Sequence, residues 1–205
     1  MPPDTPHATA RPAPAATAPV LAAAGSWLLG AVLLGASGWM RSLRPPAPQL
    51  ILAGLTIGLL VAARSWSPLR EFVRTVDLRV LALFHLTRFV GFYFLALHAR
   101  GELPWAFAVP GGWGDIAVAA TALPLLLVRP DTPAGRRVYL AWNVLGLLDI
   151  LGVVLTAARL AFRDPGSMHV LLELPLSLLL TFVVPIIVAT HVWMLGRLTR
   201  PRISR

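Results

Sequence analysis

Apolar residues in this chain neither alternate nor keep to one face of a helix. They run in long uninterrupted stretches, and short segments between the stretches collect most of the Arg, Pro and acidic residues. Crossing about 30 Å of hydrocarbon takes about 20 helical residues at ~1.5 Å each. Six stretches meet that length, at 20–40, 47–63, 76–98, 104–128, 138–158 and 170–195. The fold class expected is therefore all-α, a polytopic membrane bundle of six transmembrane helices spread over 20–195. A Pro/Ala-rich tail, 1–19, is expected to be disordered, and a short basic tail, 196–205, follows the last span. The second stretch is the shortest and needs thinning of the bilayer or snorkelling by Arg64 to cross. Its Gly54 and Gly58 form a GxxxG face suited to close helix contact.

Two stretches carry helix-disrupting residues. In the fourth, Pro110, Gly111, Gly112 and Gly114 fall where a continuous helix would run, so a break at Pro110–Gly112 is expected, with a helix resuming near Trp113. In the sixth, Pro185 removes one hydrogen-bond donor and leaves the carbonyl of Thr181 without its helical partner, which predicts a kink.

Composition agrees with a bilayer as solvent: 57% of residues are hydrophobic, 13% are charged, and the mean hydropathy is +0.72. A net charge of +9 would suit nucleic acid if it lay on one soluble face. All eighteen basic residues are arginine, however, and all but Arg79 and Arg88 sit between the apolar runs, which excludes that reading. Counted on alternate sides, eleven arginines share the side of the N-terminus and five lie opposite. By the positive-inside rule both termini are expected in the cytoplasm. The small-residue stretch near the start precedes the first apolar run, so no cleaved signal peptide is expected. Cysteine is absent, which removes disulfides, thiolate metal sites and cysteine nucleophiles. No HExxH, P-loop, EF-hand or GxSxG pattern is present, so hydrolase and nucleotide-driven classes lack support.

Three charges lie near the centre of apolar stretches, where each costs about 2.5–3.5 kcal/mol unless paired. At ~1.5 Å per residue from the end carrying the N-terminus, Arg88 is about 18 Å up its helix, Asp115 about 20 Å and Asp149 about 17 Å. Groups at one depth on three consecutive helices can meet, with Arg88 as a fork for one or both carboxylates. One Arg against two Asp leaves a formal charge of −1, so one carboxyl is expected to hold a proton. His85, Asn143 and His191 lie near the same level. His85, Arg88 and Phe92 share a face at helical spacing, as do Trp142, Gly146 and Asp149. A plain salt bridge fixing helix register explains the three charges equally well. Two GxxDI segments, Gly112–Ile116 and Gly146–Ile150, hint at an inverted repeat of the kind transporters use.

The segments RFVGFYFLALHARGELPWAFAVPGGWGD, WNVLGLLD and LPLSLLLTFVVPIIVATH together resemble a group of small bacterial multi-pass membrane proteins with no assigned activity. The likeness covers about residues 85–195, and the first two spans lie outside it. It implies a bacterial inner membrane, and that Arg88, Pro110, Gly114, Asp115, Trp142, Asn143, Gly146, Asp149, Pro185 and His191 belong to that group's pattern. Read together, these features point to an intramembrane polar site of Arg88, Asp115, Asp149, His85, Asn143 and His191 that handles a proton or a small polar ligand. Two alternatives are a membrane enzyme acting on a lipid or isoprenoid with an Asp as general acid, and a structural or assembly subunit. No metal site and no cofactor is assigned, although a single haem between His85 and His191 is one further reading. Beyond the lipid bilayer no partner is named.

Overall fold

The computed structural model describes residues 14–200, and among them there are helices, turns and no strand. The described residues form eight α-helices, of which all but α3 contribute to six spans: α1 (Pro14–Ala36), α2 (Ala47–Ser65), α3 (Ser67–Thr75), α4 (Leu78–Phe84), α5 (Gly91–Ala99), α6 (Trp105–Leu125), α7 (Pro133–Arg163) and α8 (Val184–Thr199). The chain crosses at 17–36, 47–65, 78–99, 105–125, 133–163 and 179–199, by length and apolar character. Most of the expected tail at 1–19 lies outside the described residues, but Pro14–Pro19 already form the first turns of α1. The basic tail divides likewise: Gly196–Thr199 finish α8, and 201–205 lie outside.

Three expectations about helix regularity are overturned. α6 is continuous through Pro110 and the glycines. The glycines serve packing there: a Cβ on Gly112 would meet the Gly91 carbonyl at 2.9 Å, so spans three and four touch backbone to backbone. The broken span is the third, in which α4 and α5 are joined by a 3₁₀ segment, His85–Val90. The sixth span starts at 179 and not at 170, because Pro165–Leu172 form 3₁₀ turns at the boundary and Glu173 to Pro175 interrupt the run. Just before Pro185, Leu179–Val183 wind as a π turn. The Thr181 carbonyl beside the proline accepts a hydrogen bond from Trp27 Nε1 at 2.9 Å, so α1 supplies the donor that Pro185 cannot.

α6 is the central helix, with a buried stripe from Phe107 through Gly111, Asp115 and Val118 to Ala122, packed on spans three and five. α1 and α2 lie at the periphery, and no residue of α2 is buried. The GxxxG face has no neighbour: nothing lies within 4 Å of a Cβ placed on Gly54 or Gly58. α3 is a short amphipathic helix that buries Leu69 and leaves Arg70, Glu71 and Arg74 outside. At the same end arginines close open helix C-termini, where unpaired carbonyls favour a cation. Arg197 Nη1 donates to Val76 O at 2.5 Å and Arg136 Nε to Leu198 O at 2.6 Å.

The apolar core is split in two. One cluster joins Leu78, Leu81, Ala122, Tyr139, Met194 and Leu198 near the Arg-rich end. The other joins Phe94, Leu97, Leu103, Phe107, Met168 and Leu176 toward the opposite end. Between them, on every central span, lies a polar layer.

Candidate functional site

The 3₁₀ winding of His85–Val90 sets the first half of that layer. With three residues per turn, side chains three apart eclipse, so His85 and Arg88 project inward from one edge and both are buried. The same winding carries Phe92 out of register, contrary to the shared face expected from α-helical spacing: it is exposed and stacks on Phe89 at 5.9 Å. Leaving α-helical geometry thus aims one charged side chain into the bundle and turns an aromatic toward lipid.

Arg88 is 1% exposed and each of its three nitrogens has an acceptor. Nε donates to Asp115 Oδ1 at 2.6 Å, Nη1 to the Gly146 carbonyl at 3.0 Å, and Nη2 to Asp149 Oδ2. Spans three, four and five therefore meet at a single guanidinium. Asp115 is the eleventh residue of α6, too far in for the helix dipole to account for it once that helix is continuous. The two carboxylates differ in surroundings: the Asp115 side chain is 4% exposed and the Asp149 side chain 26%. Asp149 faces a cleft bounded by Phe107, Pro110, Gly111, Gly152 and Thr156. The other side of the cluster, formed by Arg88 and Asp115, faces a second, mainly apolar cavity.

Glycines make room for this arrangement. A Cβ on Gly114 would fall on Asp149 Oδ1, and one on Gly146 would meet His191 Cε1 at 2.7 Å. The two GxxDI segments thus bring their aspartates to one guanidinium, while their leading glycines serve different contacts, Gly112 with Gly91 and Gly146 with His191.

One turn toward the Arg-rich end, His85 and His191 lie ring against ring, tilted by 48° with centroids 4.2 Å apart, and Trp142 is edge-on to His85 at 5.1 Å. In this arrangement no porphyrin plane fits between the two histidines, whose rings are already in contact. Asn143 clamps His191 twice, its Nδ2 donating to His191 O at 3.0 Å and its Oδ1 lying 2.9 Å from His191 Nδ1. Thr190 Oγ1 donates to Ile187 O at 2.8 Å and lies 3.2 Å from His85 Nε2. Since the Thr190 proton is committed to a carbonyl, His85 Nε2 must donate to Thr190, and His191 Nδ1 must donate to the Asn143 carbonyl. His85 Nδ1 and His191 Nε2 then carry free lone pairs, and both atoms are buried without a partner.

Of the six residues singled out from sequence, Arg88, Asp115 and Asp149 form one ion cluster and His85, Asn143 and His191 one imidazole cluster beside it. Gly146 bridges the two, its carbonyl on Arg88 and its Cα against His191. Sequence reasoning missed Thr190, which has no marker apart from lying one position before His191. It also missed Trp27 and Gln49, which lie outside the segments that drew attention. No group of three or more His, Cys, Asp or Glu able to hold a metal occurs among the described residues.

A family model described as a domain of unknown function, DUF8737, matches residues 45–199. The chain belongs to this family. The DUF8737 match takes in α2, which the resemblance read from sequence left out, and contains every residue of both polar clusters; α1 lies outside it. No curated protein and no solved structure matches the chain.

Proposed function

We propose that this membrane protein exchanges a proton, or a small polar ligand carrying one, at the Arg88–Asp115–Asp149 cluster, in the manner of a transporter. The observation that carries this reading is the charge count at a buried guanidinium. Two carboxylates share one cation, and the surplus negative charge in low dielectric is relieved by a proton on one of them. Asp149, quarter exposed beside a cleft, is the carboxyl that can gain and lose that proton. The neighbouring lone pairs on His85 Nδ1 and His191 Nε2 are acceptors on the far side of Gly146, toward the Arg-rich end of the bundle. We place the protein in a bacterial inner membrane with that end in the cytoplasm, which the arginine distribution supports.

Infrared spectroscopy of the purified protein tests the proposal. At neutral pH a protonated-carboxyl band should be present, shift in D2O within the mixing time, and disappear in Asp149→Asn. Full ionisation of all carboxyls at neutral pH, or a band that survives in both Asp149→Asn and Asp115→Asn, would show that the cluster is a plain ion pair. Proteoliposomes containing an entrapped pH dye give the second readout, with faster proton leak than empty vesicles expected for wild type and not for Asp149→Asn.

A further inference from the structure

The face of the ion cluster turned away from Asp149 borders a cavity of about 140 Å³. Arg88 and Asp115 form one end of it. The wall follows α7 from Ile150 through Val153 and Ala157 to Ala161, and the far end is at Gln49 and Met168. The eleven residue steps from Ile150 to Ala161, at ~1.5 Å each, make this wall about 16 Å long. α2 closes the other side, packed on α8 and α3. The volume is close to that of protein cavities that admit one benzene-sized group, which gives room for a small head group and leaves the apolar wall to carry a tail.

The polar atoms at the two ends select the head group. Every nitrogen of Arg88 is already engaged and the Asp115 carboxylate stands beside it on the lining, so an incoming carboxylate or phosphate would find no free cation and would face a like charge. What the lining offers is acceptors: the Asp115 carboxylate at one end and, at the other, Gln49 Oε1, which is buried and has no partner. Thr87, also on the lining, has its hydroxyl proton committed to Phe84 O at 2.8 Å and so presents only lone pairs. We propose that this cavity is a binding site for a single-chain amphiphile whose polar end donates hydrogen bonds, a long-chain alcohol or amine, with that end at Arg88–Asp115. The inference shares the ion cluster with the proposed function but does not depend on proton exchange at Asp149.

Photolabelling of the full chain in phosphatidylcholine nanodiscs tests it, with hexadecanol carrying a mid-chain diazirine as probe and the matching hexadecanoic acid as control. The alcohol should label residues 150–161 saturably, excess unlabelled hexadecanol should displace it, and the acid should label this stretch about tenfold less. Asp115→Asn, which weakens the acceptor end, and Ala157→Phe, which fills the wall two turns beyond Asp149, should each remove the saturable component. The second substitution leaves all three charges in place and serves if the first fails to fold. Equal labelling by acid and alcohol, or labelling that rises linearly with probe and ignores Ala157→Phe, would mean that an ordinary lipid chain occupies the groove, and would overturn the proposal. The infrared band of Asp149 is read without any probe, so the failure of either idea leaves the other standing.

Discussion

Arg88 illustrates what a single side chain can decide in a medium that does not solvate charge. Removing it by Arg88→Gln leaves the buried Asp115 and the half-buried Asp149 carboxylates without a cation, and losing one partner of a buried ion pair costs about 3–5 kcal/mol. The melting temperature in detergent should fall sharply, and the double variant Arg88→Gln with Asp115→Asn should recover part of the loss because fewer charges are left uncompensated. Asp149→Asn should cost much less, since Arg88 keeps Asp115 and the Gly146 carbonyl. Gly114→Ala tests the same geometry by steric means. Its methyl would occupy the place of Asp149 Oδ1, but that half-buried carboxyl can swing into the cleft, so overpacking of about 1–3 kcal/mol should break its bond to Arg88 without unfolding the bundle. A shift of the Asp149 infrared band with a cooperative melt retained is the expected result. The ion cluster was legible in sequence because a charge inside an apolar run is rare and must find a partner. The acceptors that complete the two polar clusters were not, because a backbone carbonyl such as that of Gly146, on Arg88, and a common residue such as Thr190, on His85, leave no compositional trace.

At the scale of elements, the six spans were readable from run length alone, and the places where winding departs from α were not. Proline and glycine in Phe107–Gly114 look like a break, yet Gly112 is there so that its backbone can lie against Gly91, and the helix tolerates one lost donor at Pro110. The real irregularity, His85–Val90, contains neither proline nor glycine, so no local propensity announces it; the tertiary pairing of His85 and Arg88 coincides with it. Pro185 was a usable signal, and its consequence involves a second element, α1, through Trp27. A double-mutant cycle checks that coupling. Trp27→Phe keeps the ring contact with Phe182 but removes the donor to Thr181 O, and should cost about 1 kcal/mol. In a Pro185→Ala background the helix itself can supply an N–H to that carbonyl, so the same substitution should cost markedly less. Equal costs in both backgrounds would separate the indole bond from the proline.

For the whole molecule, the distribution of arginine makes a statement about direction that can be checked independently of any activity. Segments rich in arginine are retained on the cytoplasmic side during insertion because moving them across the membrane is unfavourable. On the Arg-rich side these residues also have structural work: Arg136 and Arg197 close the C-terminal carbonyls of α8 and α3, so the end that holds the charge is the end where the helices are tied together. On the opposite side, Arg41 pairs with Glu173 at 3.4 Å and Arg100 with Glu102 at 2.5 Å, which lowers the net positive charge there. The absence of cysteine turns this asymmetry into a direct measurement. Ser42, exposed beyond the first span, and Ser67, exposed after the second, lie at opposite ends of α2, and each can be replaced by Cys alone. In intact cells a membrane-impermeant maleimide should label Ser42→Cys and spare Ser67→Cys, and permeabilisation should make both reactive. The reverse pattern would put the His85–His191 end of the polar layer toward the outside and reverse the sense in which the proposed proton acceptors are arranged. Labelling of both sites in intact cells would mean that α2, the shortest of the spans at 19 residues, does not keep its two ends on opposite sides of the membrane.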